Sequence, residues 1–314
     1  MMKLGVVMDP IEAINFKKDS TLAMMIEAQN KGHDIFYMTP DSLFIDSGTA
    51  FAISSKIEVR NDPSNWFSLE DSLRLKLSDL DVILMRQDPP FNSDYIYNTY
   101  VLEMASRHGV NVFNNPRSLR DCNEKVFATE FPQCCTKHLV TNNKKLLKDF
   151  VKENKDTVVK PLDGMGGASI FRIKDNDPNL SVILETITSH FSEKVMIQEY
   201  IPEILEGDKR ILLVNGKPMQ AAIARIPAQG ELRGNLAAGA SAVATPLSEK
   251  DIWICEQVAP SLIEKGLHLV GLDIIGDFLT EVNVTSPTCF KEYKELCDID
   301  VAQIFIESIE EFSQ

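Results

Sequence analysis

The sequence predicts an α/β domain with an open, mostly parallel sheet, followed by a mixed α+β region. Three observations carry this. Buried apolar runs alternate with helical segments over residues 1–120 in β-α-β order. Hairpin signals replace that alternation further on, above all Asn215-Gly216 between two apolar strands. The 314 residues, 44% apolar and 25% charged, suffice for two or three ordinary globular cores.

The elements follow in order. KLGVVM near the start reads as a buried strand, too short and too soon followed by Asp9 for a signal peptide. Asp19-Ser20 predicts the N-cap of a helix over TLAMMIEAQNKG, which Gly32 closes. HDIFYMT is the second strand, residues 42–70 hold a few short strands and a loop around NDPSNW, and LDVILMR is a further buried strand. A helix over 94–108 ends at Gly109, and VNVFNN gives one more strand. SLRDCNEKVFATEF then reads as a single helix leading out of the first domain. TVVK and ASIFRI flank a glycine loop, VMIQEYI is a strand, and KRILLVNGKPMQAAIARI is a hairpin. WICEQVAPSLIEKG is helical, LVGLDIIGDFLTEVNVTS is a second hairpin, and 299–312 form a last acidic helix.

Charge narrows the function. With 32 basic against 46 acidic residues the chain carries −14, which repels nucleic acid and anionic membrane over most of its surface. No apolar run approaches the ~20 residues of a membrane span. The six cysteines show no Cys-x-x-Cys spacing, and adjacent Cys134 and Cys135 with His138 make poor metal ligands. All six read as reduced thiols of a cytoplasmic protein.

Within KPLDGMGGASIF, residues 160–171, three glycines fall within four positions. A dinucleotide or P-loop glycine run opens a helix, whereas this one opens a strand. What remains is a turn between antiparallel strands, either a plain flexible hairpin or amides closing over phosphates with Lys160 entering from the preceding strand. In GLDIIGDFLTEVNVTSPT, residues 271–288, Asp273, Glu281 and Asn283 are hard oxygen donors in apolar strands. Glu281 and Asn283, two apart, share a strand face. They are ligands for Mg²⁺ that arrives with substrate phosphates, or members of salt bridges on a solvated face. A three-residue turn, Gly276 to Phe278, is predicted, because it pairs 273 with 281 where a two-residue turn in regular strands does not. Lys125, Lys160, Arg210, Arg225 and Arg233 lie beside polar or glycine-rich stretches, as surface residues or as the lining of a triphosphate site. IPAQGELRGNLAAGASAVATPL, poor in large apolar residues, reads as a lid.

These stretches, with QEYIPEILEGDKRILLV, ARIP…RGNLAAG, MDPI, LMRQDPPF and NNPRSLRDCNEK, together resemble bacterial glutathione synthetase over nearly the whole chain. The resemblance implies the ATP-grasp fold, with a substrate-binding domain at 1–122 and an ATP-grasp domain at 123–314. The latter would divide into a small lid-like subdomain, 123–200, and a catalytic subdomain, 201–314, with a flexible loop at 226–244. It implies ligation of γ-glutamylcysteine to glycine with ATP, through an acylphosphate, in a cytoplasmic homotetramer. By the same resemblance, Lys125 and Lys160 contact phosphates and Gly164, Gly166 and Gly167 form a flap over them. Glu199, Tyr200 and Ile201 present the strand edge that reads adenine, and Asp208 lies near the ribose or substrate. Arg210 and Arg225 face the γ-phosphate and reacting carboxylate. Asp273, Glu281 and Asn283 hold two Mg²⁺, with Mn²⁺ as a substitute. Arg86, Ser286 and Thr288 hold the dipeptide, and Arg233 and Asn235 descend with the lid. The lid stretches Ala228-Gln229-Gly230 and Gly239-Ala240-Ser241-Ala242 depart from the family's pattern of paired glycines and Gly-Gly-Arg-Gly, so slower lid closure is expected. The competing readings are another carboxylate–amine ligase, such as a D-alanine or glutamate-adding enzyme, and a nucleotide-binding module without catalysis.

Overall fold

The computed structural model describes the whole chain except Met165, Leu232, Asn235, Ala237, Ala238 and Gln314. Strand β1 (Lys3–Met8) is buried on both faces, as its unbroken apolar run requires. Helix α1 (Ser20–Asn30) starts where the Asp19 carboxylate accepts from the Leu22 N–H at 2.6 Å. It leads to β2 (Asp34–Met38), and β1 pairs in parallel with β2 on one side and β7 (Val82–Arg86) on the other. Helix α2 (Ser93–Ser106) crosses over to β8 (Asn111–Phe113), parallel to β7.

Only this centre of the first sheet is parallel. The stretch expected to hold a few short strands forms β3 (Leu43–Asp46), β4 (Thr49–Val59), β5 (Phe67–Leu69) and β6 (Leu73–Lys76). β4 pairs antiparallel with β2, β3, β5 and β6, so among the described residues half of the eight strands are antiparallel. The alternating burial of β4, with Ala50, Ala52 and Ser54 inward, fits a half-covered antiparallel strand.

The single helix expected over 118–131 is broken. Helix α3 (Pro116–Asp121) ends at Cys122, and Asn123 caps α4 (Glu124–Ala128) by accepting from the Lys125 and Val126 N–H groups. Asparagine is a better cap than helix interior, and the break turns Lys125 toward the glycine loop.

The second sheet runs β11-β10-β12-β9, all antiparallel. It comprises β9 (His138–Thr141), β10 (Asp156–Pro161), β11 (Phe171–Lys174) and β12 (Val195–Glu199), with α5 (Lys144–Asn154) and α6 (Leu180–Ile187) on one face. Leu147, Val151, Val159, Ile173, Leu184 and Ile197 form its own small core. The third sheet comprises β13 (Asp208–Val214), β14 (Lys217–Pro218), β15 (Ala221–Ile226), β16 (Ser241–Pro246), β17 (Leu269–Ile275) and β18 (Phe278–Asn283). Its order is β16-β15-β13-β17-β18, with β14 on β13. Helices α7 (Glu249–Glu264), α8 (Phe290–Cys297) and α9 (Val301–Phe312) complete the chain. β16 shortens the loop expected at 226–244: Ser241 and Ala242 pair with Ile226 and Arg225, so they belong to a ladder.

His268, just before β17, donates from Nδ1–H to Asn215 Oδ1 at 2.8 Å and packs edge-on to Phe113 and Phe312. Burial among these rings holds its pKa below the ordinary 6.5. The unfolded chain therefore takes up the proton first as pH falls. The stability contribution is present above about 6.5 and is lost as pH drops toward the folded value. Thermal unfolding between pH 7.5 and 5 is expected to show a steeper acid decline in the wild-type chain than in His268→Gln. Equal slopes would contradict this.

Candidate active site

The β17–β18 hairpin shows how one extra residue builds a site. Its turn is the two-residue Gly276-Asp277 form, since Ile275 pairs with Phe278 and Ile274 with Leu279. That corrects the expected three-residue turn. Yet Asp273 still faces Glu281, because the register shifts between Asp273 and Ile274 and leaves Thr280 as the extra residue. A bulge inside the ladder does what the longer turn was expected to do. The Thr280 hydroxyl donates to the Asp273 carbonyl at 3.0 Å and secures it. Asn283, paired with Gly271, directs its amide N–H to the Gly271 carbonyl at 3.2 Å.

Asp273 is buried beneath two arginines, Arg210 on the adjacent β13 and Arg225 on β15 beyond it. Arg210 reaches its Oδ1 at 2.5 Å and its Oδ2 at 3.1 Å, and Arg225 reaches Oδ2 at 2.9 Å. Arg225 also pairs with Asp208. Gly271 leaves the room for Arg210: a Cβ there would sit 3.0 Å from the Arg210 Cδ. Burial alone pushes the Asp273 carboxyl upward, but the two guanidiniums overwhelm it and hold it well below the usual carboxylate range. Asp208 goes the other way. Burial raises it to about 6, with Arg225 opposing and Asp273 adding to the rise. Among the described residues its Oδ1 is buried with no hydrogen-bond partner.

Glu281 receives the second pair of cations. Lys125 and Lys160 each bring Nζ to 3.6 Å from its Oε1. Burial pushes Glu281 upward, and the two ammoniums more than reverse that. Burial holds Lys160 below its ordinary pKa, against the pull of Glu281. Lys160 Nζ donates to the Thr280 carbonyl at 3.2 Å, so the glycine-loop strand meets the bulge directly. Lys125 Nζ donates to the Gly164 carbonyl at 2.7 Å.

Facing these charges is a cavity of about 460 Å³ between the second and third sheets. One wall is the glycine loop, with Gly164, Gly166 and Gly167 on the lining. Gly166 and Gly167 take φ of +65° and +77°, a region that side chains disfavour. β10 and β11 flank the loop as antiparallel strands, as the sequence predicts, although β11 begins only at Phe171. The other wall holds Lys125, Lys160, Asp208, Asp273 and Glu281. Tyr200 and Ile201 line the apolar end, whereas Glu199, the last residue of β12, does not. Arg233 lines the mouth and pairs with Glu231 at 2.5 Å, apart from the buried arginines. Asn235 lies outside the described residues.

Arg86, Ser286 and Thr288 do not line this cavity. Arg86 is buried, donating to Thr21 Oγ1 at 3.1 Å and to the Pro287 carbonyl at 2.9 Å. Ser286 Oγ donates back to the Arg86 carbonyl at 3.4 Å. Sequence reasoning missed the apolar lining, Val158, Ile204 and Ile275, whose residue types do not differ from core. It also missed Arg172, which lies over the Tyr200 ring at 3.5 Å and is clamped by Asp156 at 2.8 and 2.6 Å.

The donor chemistry suits a hard divalent cation. Asp208 has an oxygen unmet among the described residues, and Glu281 and Asn283, two apart on β18, share a strand face. Among the described residues no three carboxylate, His or Cys side chains close into a cage by themselves.

Two family models match this chain: the N-terminal domain of prokaryotic glutathione synthetase over residues 2–120 and its ATP-grasp domain over 124–298. The glutathione synthetase of Pseudomonas aeruginosa is 54% identical over 308 residues, covering 98% of this chain and 97% of that one. That of Vibrio parahaemolyticus is 53% identical over 310 residues, covering 99% and 98%. Among solved structures, a D-cycloserine synthetase shares the fold at a TM-score of 0.71 and 14% identity, covering 99% of this chain and all of that one. The D-alanyl-alanine synthetase A of Vibrio cholerae does so at 0.65 and 12%, covering 99% and 98%. Sequence relatives of this closeness over both domains, and a cavity of this make-up between two antiparallel sheets, lead to one conclusion: the chain belongs to the prokaryotic glutathione synthetase family of ATP-grasp ligases.

Proposed function

We propose that the cavity between the glycine loop and the bulged β17–β18 hairpin is where this ATP-dependent ligase joins γ-glutamylcysteine to glycine. The observation that carries the reading is that Lys160, on the glycine-loop strand, meets Glu281 and Thr280 of the carboxylate hairpin in one cavity. Adenine packs on Tyr200 and Ile201, and the triphosphate runs toward Lys125 and Lys160 under the glycine amides.

A carboxylate is a poor acyl donor, so the γ-phosphoryl first moves to the cysteinyl carboxylate, giving an acylphosphate and ADP. Glycine's amine then attacks the acyl carbon and phosphate leaves. Around the carboxylate hairpin, Lys125, Lys160, Arg210 and Arg225 stand against Asp208, Asp273 and Glu281. That surplus is too small for a triphosphate beside a carboxylate. Asp273, Glu281 and Asn283, with Asp208 adjacent, would hold two Mg²⁺, or Mn²⁺ in their place. When bound, such ions neutralise phosphate charge as it shifts in transfer. Arg210 and Arg225, locked by Asp273, present fixed positive charge with little reorganisation. The 227–240 segment, carrying Arg233, would exclude water from the acylphosphate. Arg86, Ser286 and Thr288 would hold the dipeptide, Arg86 by its buried guanidinium.

No helix among the described residues is long and apolar enough to cross a membrane; a cytoplasmic site of action rests on the family resemblance. Assembly as a homotetramer rests on the family resemblance, with exposed Ile45, Ile53, Leu69 and Leu73 as candidate contact residues. Measuring ADP release decides the reaction. Release that needs both γ-glutamylcysteine and glycine is expected. Release with D-alanine would favour the related ligases, and nucleotide binding without release an inert module.

A further inference from the structure

One half-buried side chain ties together two parts of the site that the reaction keeps chemically separate. A single oxygen of Glu124, Oε1, accepts from the Val284 N–H at 3.1 Å, the Thr285 N–H at 3.2 Å and the Thr285 hydroxyl at 2.7 Å. Val284 follows Asn283 directly and opens the turn that carries Ser286 and Pro287, where Arg86 is held. The residues on either side of Glu124 hold the glycine loop. Asn123 Nδ2 donates to the Leu162 carbonyl at 3.0 Å, and Lys125 Nζ donates to the Gly164 carbonyl at 2.7 Å. Three consecutive residues at the head of α4 thus grip both the dipeptide turn and the phosphate flap. A void of about 10 Å³, lined by Pro89, Phe91, Glu124, Gly164 and Thr285 among others, marks the meeting point of these parts with the DPPF loop.

We propose that Glu124 is a positioning residue that transmits occupancy of the 284–288 turn to the glycine loop, so that bound dipeptide prepares the flap to close over the phosphates. The inference rests on the reading that the dipeptide lies at Arg86 and Ser286 and the phosphates at the glycine loop. Physically, a ligand that steadies the turn steadies Glu124 through three hydrogen bonds. The adjoining Asn123 and Lys125 then lose freedom, and the two carbonyls they hold with them. A shift of an ångström in Lys125 alters the reacting geometry, and displacement on that scale costs about 10²-fold in rate.

Hydrogen exchange of the full chain reads this directly. Adding γ-glutamylcysteine without nucleotide is expected to slow exchange at residues 162–170 several-fold in the wild type. In Glu124→Ala the dipeptide still binds but that slowing is lost. Glu124→Gln, which keeps an acceptor oxygen in place, restores it and keeps kcat within about threefold of the wild type. Slowing that persists in Glu124→Ala, a wild-type loop indifferent to dipeptide, or a Gln variant no better than Ala would each overturn the proposal. Arg86→Met separates this from failure of the underlying reading. Unchanged dipeptide affinity in Arg86→Met would displace the dipeptide itself. Lost affinity there, together with a failed exchange result, refutes the Glu124 inference alone.

Discussion

Asp273→Asn is expected to lower the rate of ADP release by about 10²–10³-fold and to destabilise the chain by about 3–5 kcal/mol. Both effects have one cause. Asp273 compensates two buried guanidiniums at 2.5–3.1 Å, and asparagine leaves Arg210 and Arg225 facing each other with only Asp208 between them. The amide also cannot accept at both of its positions, so one arginine N–H is left unmet. Denaturant unfolding and steady-state kinetics on the same preparation check the pair of effects. A variant that loses activity with unchanged stability would show that Asp273 is not the electrostatic keystone of the arginines. A variant that keeps its activity would remove it from the site.

Lys160→Met is expected to lower kcat/KM for ATP by a similar ~10²–10³-fold, but with the opposite sign on stability. Lys160 is buried, and burial disfavours its charge. Its partner Glu281 keeps Lys125 at 3.6 Å when Lys160 is gone. Methionine preserves the stem and removes the desolvated ammonium, and because Glu281 keeps Lys125 as its counter-charge the cost of leaving a buried ion unpaired is not incurred. Melting temperatures without nucleotide are therefore expected to be equal or higher, the trade between stability and function that binding sites display. A melting point several degrees lower with activity intact would make Lys160 a structural ion-pair member.

Much of the fold was legible because periodicity and caps are local. β1, α1 and the Asn215-Gly216 turn follow from apolar runs, Asp19 and turn chemistry within a few residues. The helix predicted through Cys122 failed because a cap in mid-pattern competes with propensity, and Asn123 won that competition through contacts to Leu162, 39 residues away. The strands β9 and β16 and the helices α5, α6 and α8 went unread, their patterns being short or polar. In the site, charged residues in apolar surroundings stood out, so Lys160, Arg210, Arg225, Asp273 and Glu281 were nameable. Glu124 was not, because a carboxylate at the head of a helix is the commonest of caps, and its partners Val284 and Thr285 are 160 residues on.

Sequence alone determined the family, the order of the main strands along the chain and the charged residues that make up the candidate site, because these depend on composition and local pattern. Tertiary structure alone decided the partners: which carboxylate neutralises which arginine, that Thr280 bulges so Asp273 meets Glu281, and that α4 touches both halves of the site. The physical reason is that charge pairing and register are fixed by through-space distance between strands far apart in the chain, and no window of sequence contains that distance.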